Sequence, residues 1–394
     1  MKRPIYLDYA ATTPLDPRVA ALMAECLSLE GDFGNPASNT HCYGFSAKAR
    51  IDQAREQMAS ALGVLDSREI IFTSGATESN NLAIKGVMQA SSRNHMITMA
   101  TEHKAVLDPA KYLSTQNKKI DFLKPESDGI LNLEKLEKVL LDNKNNTALV
   151  SIMWANNETG VIQDILKIGE LVKSYGAYFH VDAAQAVGKF KIDLSDSPID
   201  LLSLSAHKFY GPKGIGALYV RRKPKVILTP LFHGGGHESG LRSGTLPTHQ
   251  IAGMGLALFL SNQNLNQEFD RILKFKKLFW SEISQLPKIF LNGSFEQSLP
   301  GILNIRFEGV DSESLIMAME ENLAVSAGSA CTSATMEASH VLSAMGLSDS
   351  QAHESIRFSL GRFTTERDIQ IAIDTVKKHV NKLREISPIW DVPA

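Results

Sequence analysis

The sequence lacks several things that would set its class at once. Cysteine is scarce: the 394 residues carry three, Cys26, Cys42 and Cys331. They form no Cys-x-x-Cys pair and no zinc-ligand spacing, so neither a disulfide framework nor a structural zinc site is expected. The odd, sparse count suits a reducing compartment and makes any exposed cysteine a candidate reactive thiol. An excess of one charge is also missing, since 41 Lys and Arg against 43 Asp and Glu leave a net charge of −2. That removes the global electrostatic case for nucleic acid or an anionic membrane as a partner. No apolar run nears the roughly 20 residues of a membrane span. The start, Met1 to Asp8, lacks the apolar core of a signal peptide and the long Arg- and Ser-rich helix of a transit peptide, so a cytoplasmic location is expected. Internal repeats and low-complexity segments are absent as well.

What is present fits an ordinary globular protein with a sizeable core: 43% of the residues are hydrophobic and 21% charged. The length allows two domains, or one large and one small. Strand and helix signals alternate through the first two-thirds. Ile51, Ala54, Met58 and Ala61 recur at helical spacing before Gly63. Glu69–Thr73 reads as a strand, then comes a small-residue turn, then a helix with Ala83, Val87 and Ala90 on one face. Ala148–Trp154 and Tyr178–Asp182 read as buried strands around a helix marked by Ile165, Ile168 and Val172. This alternation predicts a mostly parallel sheet with helices on both faces. The pattern changes after about Leu260, where Ser261–Gln267 is polar enough to hinge a second domain. Beyond it are strands at Leu303–Phe307 and Ser355–Ser359. A helix capped by Asp311 or Ser312 lies between them, and a last helix carries Ile369, Ile373, Val376, Val380 and Leu383.

The most informative stretch is Ser203-Leu-Ser-Ala-His-Lys-Phe-Tyr-Gly-Pro-Lys-Gly214. An apolar run, Asp200–Ser205, ends in a histidine and one lysine, and Gly-Pro-Lys-Gly then turns the chain. Lys208 is thereby placed at the carboxyl end of a buried strand, where open α/β sheets hold ligands. A partly desolvated lysine can form a Schiff base, although an isolated lysine before a turn is ordinarily a surface residue. Its company decides between these readings. A Schiff-base lysine suggests pyridoxal phosphate, which needs an anion site, an acid at the pyridine nitrogen and a group stacked on the ring. Gly75-Ala76-Thr77 lies between a strand and a helix start and could hold a phosphate on backbone N–H groups and the Thr77 hydroxyl. Ser205 and His207 flank the lysine and could reach the same phosphate. Asp182 ends a strand, Gln185 follows one turn later, and His103 follows the strand near Ile97. Taken singly, these read as a helix cap, a plain turn or a loop histidine. Their ordered occurrence at strand ends is what carries the reading.

The motifs Ser74-Gly-Ala-Thr-Glu-Ser79, Glu102-His-Lys-Ala105, Asn156-Asn-Glu-Thr-Gly160, His180-Val-Asp182 and Ser205-Ala-His-Lys208 resemble fold-type I, class V pyridoxal-phosphate enzymes. His233-Gly-Gly-Gly-His-Glu238, Leu241-Arg-Ser-Gly-Thr245, Gly328-Ser-Ala-Cys-Thr-Ser333 and Ser355-Ile-Arg-Phe-Ser-Leu-Gly361 look like the housekeeping cysteine desulfurases of the NifS/IscS type. The likeness runs from Ile5 to about Pro388. It implies a fold-type I transferase with a large α/β cofactor domain at 15–260 and a smaller α/β domain made of 1–14 and 261–394, which carries the cysteine loop.

The resemblance also assigns roles. Lys208 would hold the cofactor and move protons. His103 would stack on the ring and act as acid and base. Asp182 would pair with the pyridine nitrogen, while Gln185 and Asn157 would meet the ring oxygen and the substrate. Ala76, Thr77, Ser205, Ala206 and His207 would line the phosphate side. Thr245 would reach the cofactor of the other subunit, implying a homodimer with composite sites. Arg357 would clamp the carboxylate of L-cysteine. No resident metal is implied, although Cys331 could be shared with a cluster held by a scaffold.

Cys331 selects the reaction. The residues around it, Ser326–Thr335, are small throughout, with no apolar periodicity to suggest core, so a mobile loop is expected. Cys42 is a weaker rival nucleophile and Cys26 reads as core. The implied activity converts L-cysteine to L-alanine with a persulfide on Cys331. Sulfur then passes to an iron–sulfur scaffold protein and other acceptors, such as those of tRNA thiolation. The sequence ends at Ala394, where close bacterial relatives continue into a longer scaffold-docking tail, so the scaffold is the less firmly implied partner. An aminotransferase needs no loop cysteine, so Cys331 counts against that rival. A selenocysteine lyase shares the chemistry. A sulfur carrier without catalysis would not need Lys208, His103, Asp182 and Arg357 together.

Overall fold

The computed structural model describes residues 3–327, 338–387 and 390. A short strand, β1 (Ile5–Tyr6), opens the chain. Seven strands then build one sheet: β2 (Ile70–Thr73), β3 (His95–Met99), β4 (Lys119–Leu123), β5 (Thr147–Met153), β6 (Tyr178–Asp182), β7 (Leu201–Ser205) and β8 (Gly216–Val220). Their order is β2-β8-β7-β6-β5-β3-β4. Strands β4, β3, β5, β6 and β7 pair in parallel, and β8 runs antiparallel between β7 and β2. The carboxyl ends of β2, β3, β5, β6 and β7 therefore lie along one edge.

The inner strands of the sheet are buried on both faces, as a mostly parallel sheet covered by helices requires. Every residue of β5 and of β7 is buried. Alternate residues enter two different cores. Ile70, Phe72, Leu202 and Leu204 pack with Ile51, Met58, Ile168 and Val172, while Ile71, Leu201 and Leu218 pack with Ala83, Val87, Val106 and Ala110. Each fully buried Leu, Ile or Phe contributes about 2 kcal/mol of transfer free energy. The helix Cys42–Leu62 stops at Gly63, whose φ of 65° is the left-handed conformation that ends helices.

The remaining strands are β9 (Ile289–Leu291), β10 (Ile302–Phe307), β11 (Leu323–Ala324) and β12 (Ser355–Ser359). An antiparallel sheet of order β12-β10-β9 is covered by the helices Leu265–Ile283 and Glu366–Ile386, which bury Phe279, Ile369, Ile373 and Val376 against Ile305, Phe307 and Phe358. The short helix between these strands, Ser312–Met319, is capped by Asp311, which accepts the Ser314 N–H at 2.8 Å. Strand β1 pairs in parallel with β11, Ile5 opposite Leu323, and Asp8 bridges to Ser359.

The polar stretch Ser261–Gln267 differs from an open hinge. It is helical on both sides of Asn264, closing the helix Thr248–Gln263 and opening Leu265–Ile283. Ser261 is buried there, donating to Ala257 O at 2.9 Å and accepting from Arg362 at 3.0 Å. Gln263, Asn264, Asn266 and Gln267 are exposed, so only the first two polar residues of the stretch, Ser261 and Asn262, turn to internal partners.

Candidate active site

The edge where β2, β3, β5, β6 and β7 end opens into a cavity of about 490 Å³. Thr77, His103, Asp182, Gln185, Ser205 and Lys208 all line it, with Ala76, Asn157, His207 and Arg357. Residues drawn from most of the chain thus meet in one place. Ala206 is buried beside them but outside the lining; its carbonyl accepts from Phe209 and Gly211. Thr245 is exposed and also lies outside the lining of this cavity. Cys331 lies outside the described residues.

The first wall follows from strand-end turns. After β2, Gly75 takes φ 151° and ψ 178°, a conformation essentially reserved for glycine, and the helix Ala76–Ala90 starts at once. Its first N–H groups have no carbonyl one turn earlier to bond, so they face the cavity mouth as donors on the positive end of the helix dipole. A Cβ on Gly75 would stand 3.7 Å from Ser205 Oγ, so the Ser205 hydroxyl lies beside this helix start. His207 Nδ1 is 3.1 Å from Thr12 Oγ1. Burial, and then the charge of Lys208, push the His207 pKa down to about 4, so the ring is neutral at pH 7.

Asp182, at the end of β6, is buried and doubly held. Its Oδ2 accepts from Asn80 Nδ2 at 2.7 Å and its Oδ1 from the Ala184 N–H at 3.0 Å. Beneath it, His180 spans three strands, with Nδ1 2.8 Å from Ser151 Oγ and Nε2 2.9 Å from Ser203 Oγ. Burial drives its pKa down to about 3.

His103 is the N-cap of the helix Lys104–Thr115, not a loose loop histidine. Its Nδ1 accepts the Ala105 N–H at 3.1 Å. An accepting Nδ1 requires the proton on Nε2, so the helix start selects the tautomer. Burial lowers the His103 pKa, opposed by the Asp182 carboxylate and assisted by Lys208. The neighbouring Glu102 is fully buried and accepts the Met153 N–H at 2.7 Å; burial raises its pKa well above the carboxylate range, and the Asp182 charge adds to this.

The second wall is the N-terminal segment. Lys208 Nζ donates to Ala10 O at 2.7 Å and Ala11 O at 2.8 Å, and Gln185 Nε2 donates to Ala10 O at 2.8 Å. Thr13 ties the segment to His207 O through its N–H at 2.9 Å and its hydroxyl at 3.0 Å. Arg357, on β12, is 2% exposed; it pairs with Asp8 Oδ1 at 2.7 Å and donates to Asn157 O at 2.9 Å. Asp8, Ala10, Ala11, Thr12 and Asn80 were not singled out by the sequence. Asn80 lies within the Ser-Gly-Ala-Thr-Glu-Ser-Asn80 run, one helical turn beyond Ala76, and that spacing was the available signal.

This donor set fits pyridoxal phosphate. It offers a helix start with Ser205 and His207 for a dianion, a held carboxylate for a pyridinium, a neutral imidazole for a ring face, and a lysine. The donors converge from separate strand ends, which is where the fold puts a ligand.

The match to known proteins agrees with this geometry. Residues 5–371 match the family described as aminotransferase class-V, and the chain belongs to that family. Within it, the chain falls among relatives of one kind. "Cysteine desulfurase IscS" of Pectobacterium atrosepticum is 53% identical over 394 residues, covering 100% of this chain and 96% of the relative. The protein of the same name from Klebsiella pneumoniae is also 53% identical, with the same coverage. Among solved structures, a "NIFS-LIKE PROTEIN" superposes with a TM-score of 0.88 at 36% identity, covering 97% of this chain and 100% of that one. "SspA in complex with cysteine" gives a TM-score of 0.80 at 38% identity, covering 91% of this chain and 99% of that one.

Proposed function

We infer that the chain is a pyridoxal-phosphate-dependent cysteine desulfurase that converts L-cysteine to L-alanine and collects the sulfur as a persulfide on Cys331. The observation that carries this reading is the convergence of Lys208, His103, Asp182 and Arg357 on one cavity. The full-length similarity to cysteine desulfurases and the Gly328–Ser333 motif support it.

Pyridoxal phosphate, when bound, supplies an electron sink that makes the substrate Cα–H acidic and weakens its Cβ–S bond. The chain supplies the rest. Ala76, Thr77, Ser205 and His207 hold the phosphate, and Asp182 keeps the pyridine nitrogen protonated. Arg357 binds the substrate carboxylate with the fork of a guanidinium, and Asp8 and Asn157 O keep that fork oriented. The Lys208 amine would take up the proton lost from the substrate Cα. The neutral His103, with Nε2 protonated, covers the ring and exchanges a proton at the substrate. The Cys331 thiolate attacks the substrate sulfur; the Cβ–S bond breaks, an S–S bond forms on the enzyme, and a proton delivered to Cβ completes alanine.

Residues 1–14 and 261–394 form a small domain in this reading, which the β1–β11 pairing supports. A homodimer places Thr245 at the other subunit's cofactor. The acceptors are an iron–sulfur scaffold protein and other sulfur-accepting proteins, and the compartment is the cytoplasm. No helix among the described residues is long and apolar enough to cross a membrane. The purified protein is expected to absorb in the visible and to release alanine and, with a thiol reductant, sulfide from L-cysteine in equal amounts. Absence of the band, or alanine without sulfide, overturns the reading.

A further inference from the structure

Lys189 has no part in the chemistry above, yet it lies one contact from it. The segment after β6 coils as a turn, with the Val187 N–H bonding Ala183 O at 3.0 Å and the Lys189 N–H bonding Ala186 O at 3.1 Å. Gln185 and Lys189 are four residues apart, and their side chains meet across it. Gly188 fixes the path: its φ is 75°, and a Cβ there would stand 2.7 Å from Phe209 Cβ. The half-buried Lys189 donates from its Nζ to Gln185 Oε1. Away from the site it borders a cavity of about 40 Å³ shared with Tyr9, Tyr210 and Glu268. Burial, and then the charges of Lys208 and Arg357, bring its pKa down to about 7, with Glu268 acting in the opposite sense.

A carboxamide can be turned end for end with almost no change in shape. The Lys189 ammonium, the form that prevails below about pH 7, has three donors and no acceptor, so it can meet only the oxygen end. With Lys189 against Oε1, the Gln185 NH₂ must point the other way. One of its hydrogens goes to Ala10 O at 2.8 Å, the carbonyl that also accepts from Lys208 at 2.7 Å. The second hydrogen is left for the cavity that Gln185 lines.

We propose that Lys189 is a positioning residue: by holding Gln185 Oε1 it presents the amide NH₂ to the ring oxygen of bound pyridoxal phosphate. This rests on the reading above that Gln185 meets that oxygen. A donor there favours the ionised ring oxygen, so losing its orientation moves the titration of the cofactor's visible band to higher pH.

The test is a spectrophotometric pH titration of the cofactor-loaded protein without substrate, with cofactor affinity measured alongside by equilibrium dialysis. Lys189→Met is expected to raise the band's midpoint by the equivalent of about threefold to tenfold in the ionisation constant, the range for one hydrogen bond. Gln185→Ala should shift it similarly, and the double variant no further than Gln185→Ala alone. Lys189→Arg, which still donates, should restore the wild-type midpoint. Lys189→Gln serves if the Met variant folds poorly; its amide admits both orientations, so a smaller upward shift is expected. A wild-type midpoint in the Met or Gln variant while Gln185→Ala shifts overturns the proposal. So does full additivity in the double variant. If Gln185→Ala leaves the midpoint unchanged, the placement of Gln185 at the ring oxygen has failed, and the proposal falls with it.

Discussion

The two walls of the cavity are built from different materials. The wall at the strand ends presents side chains: Asp182, Ser205, His207, Lys208 and, from a helix start, Thr77. The N-terminal wall works largely through main-chain carbonyls, Ala10 O and Ala11 O, with Asp8 as its charged member. The side-chain wall can titrate, stack and react. Toward Lys208 and Gln185 the main-chain wall only accepts hydrogen bonds and holds the donors in place. Chemistry and alignment are thus divided between elements far apart in sequence, and substitutions should separate them.

The largest effect is expected in the reacting wall. Lys208→Ala removes the amine that holds the cofactor and moves protons. Turnover should fall by about 1,000-fold or more, and the visible band should vanish. Absorbance and alanine release check this together; a normal band with normal turnover would place the cofactor on another lysine. Cys331 lies outside the described residues, and its substitution should sort the steps. Cys331→Ser should keep the band and its perturbation by L-cysteine but form no persulfide, because a hydroxyl cannot take up and carry sulfane sulfur. Mass spectrometry of the intact protein after L-cysteine reads this directly. A sulfur adduct on the variant would move the nucleophile elsewhere, with the exposed Cys42 the first alternative.

Breaking the aligning wall should cost stability first. Asp8→Asn removes the charge that pairs with the buried Arg357 guanidinium at 2.7 Å. Asp8 is partly exposed and Arg357 keeps other contacts, so the loss is expected to be about 2 kcal/mol, the range for a hydrogen bond to a charged group. Urea unfolding followed by fluorescence measures it. A loss under about 0.5 kcal/mol, ordinary for a surface substitution, would show that the pair is not structural.

The same contrast explains what could be read from the sequence. Lys208, Asp182 and Thr77 were legible because each lies at or just past the end of an apolar strand run, so topology alone brings them to one edge. Strands β6 and β12 were bounded to the residue for a related reason: their buried runs are short and sharply flanked. Ala10 and Ala11 were invisible because a carbonyl belongs to every residue, and no side chain advertises its use. Asn80 was missed because a buried amide within a helix looks like any polar helical residue until Asp182 is found 2.7 Å away. At Ser261–Gln267 composition reports polarity without saying that two helices meet there at Asn264 or that Ser261 has a hydrogen-bond partner inside.

The smallest effect lies beneath the reacting wall and concerns a histidine that must stay neutral. His180 is fully buried between Ser151 and Ser203, and burial lowers its pKa from the ordinary 6.5 to about 3. A neutral ring has one donor and one acceptor nitrogen, and two hydroxyls can satisfy both. In the unfolded chain this histidine takes up a proton near pH 6.5; in the folded chain it does not until about pH 3. Between those values the unfolded state binds more protons, so stability is full above pH 6.5 and declines as the pH falls through the window. The slope approaches about 1.4 kcal/mol per pH unit for one proton. Between pH 7 and pH 5.5 the contribution of His180 amounts to about 1 kcal/mol. His180→Gln keeps a donor and an acceptor but cannot titrate. It should be less stable than the wild type at pH 7, because its shape does not match the ring's two contacts, yet lose less stability on moving to pH 5.5. Urea unfolding at the two pH values gives the four free energies needed. If the wild type and the variant lose the same amount, the proton uptake belongs to other groups, and the sealed histidine is not what sets the acid sensitivity of the sheet beneath the site.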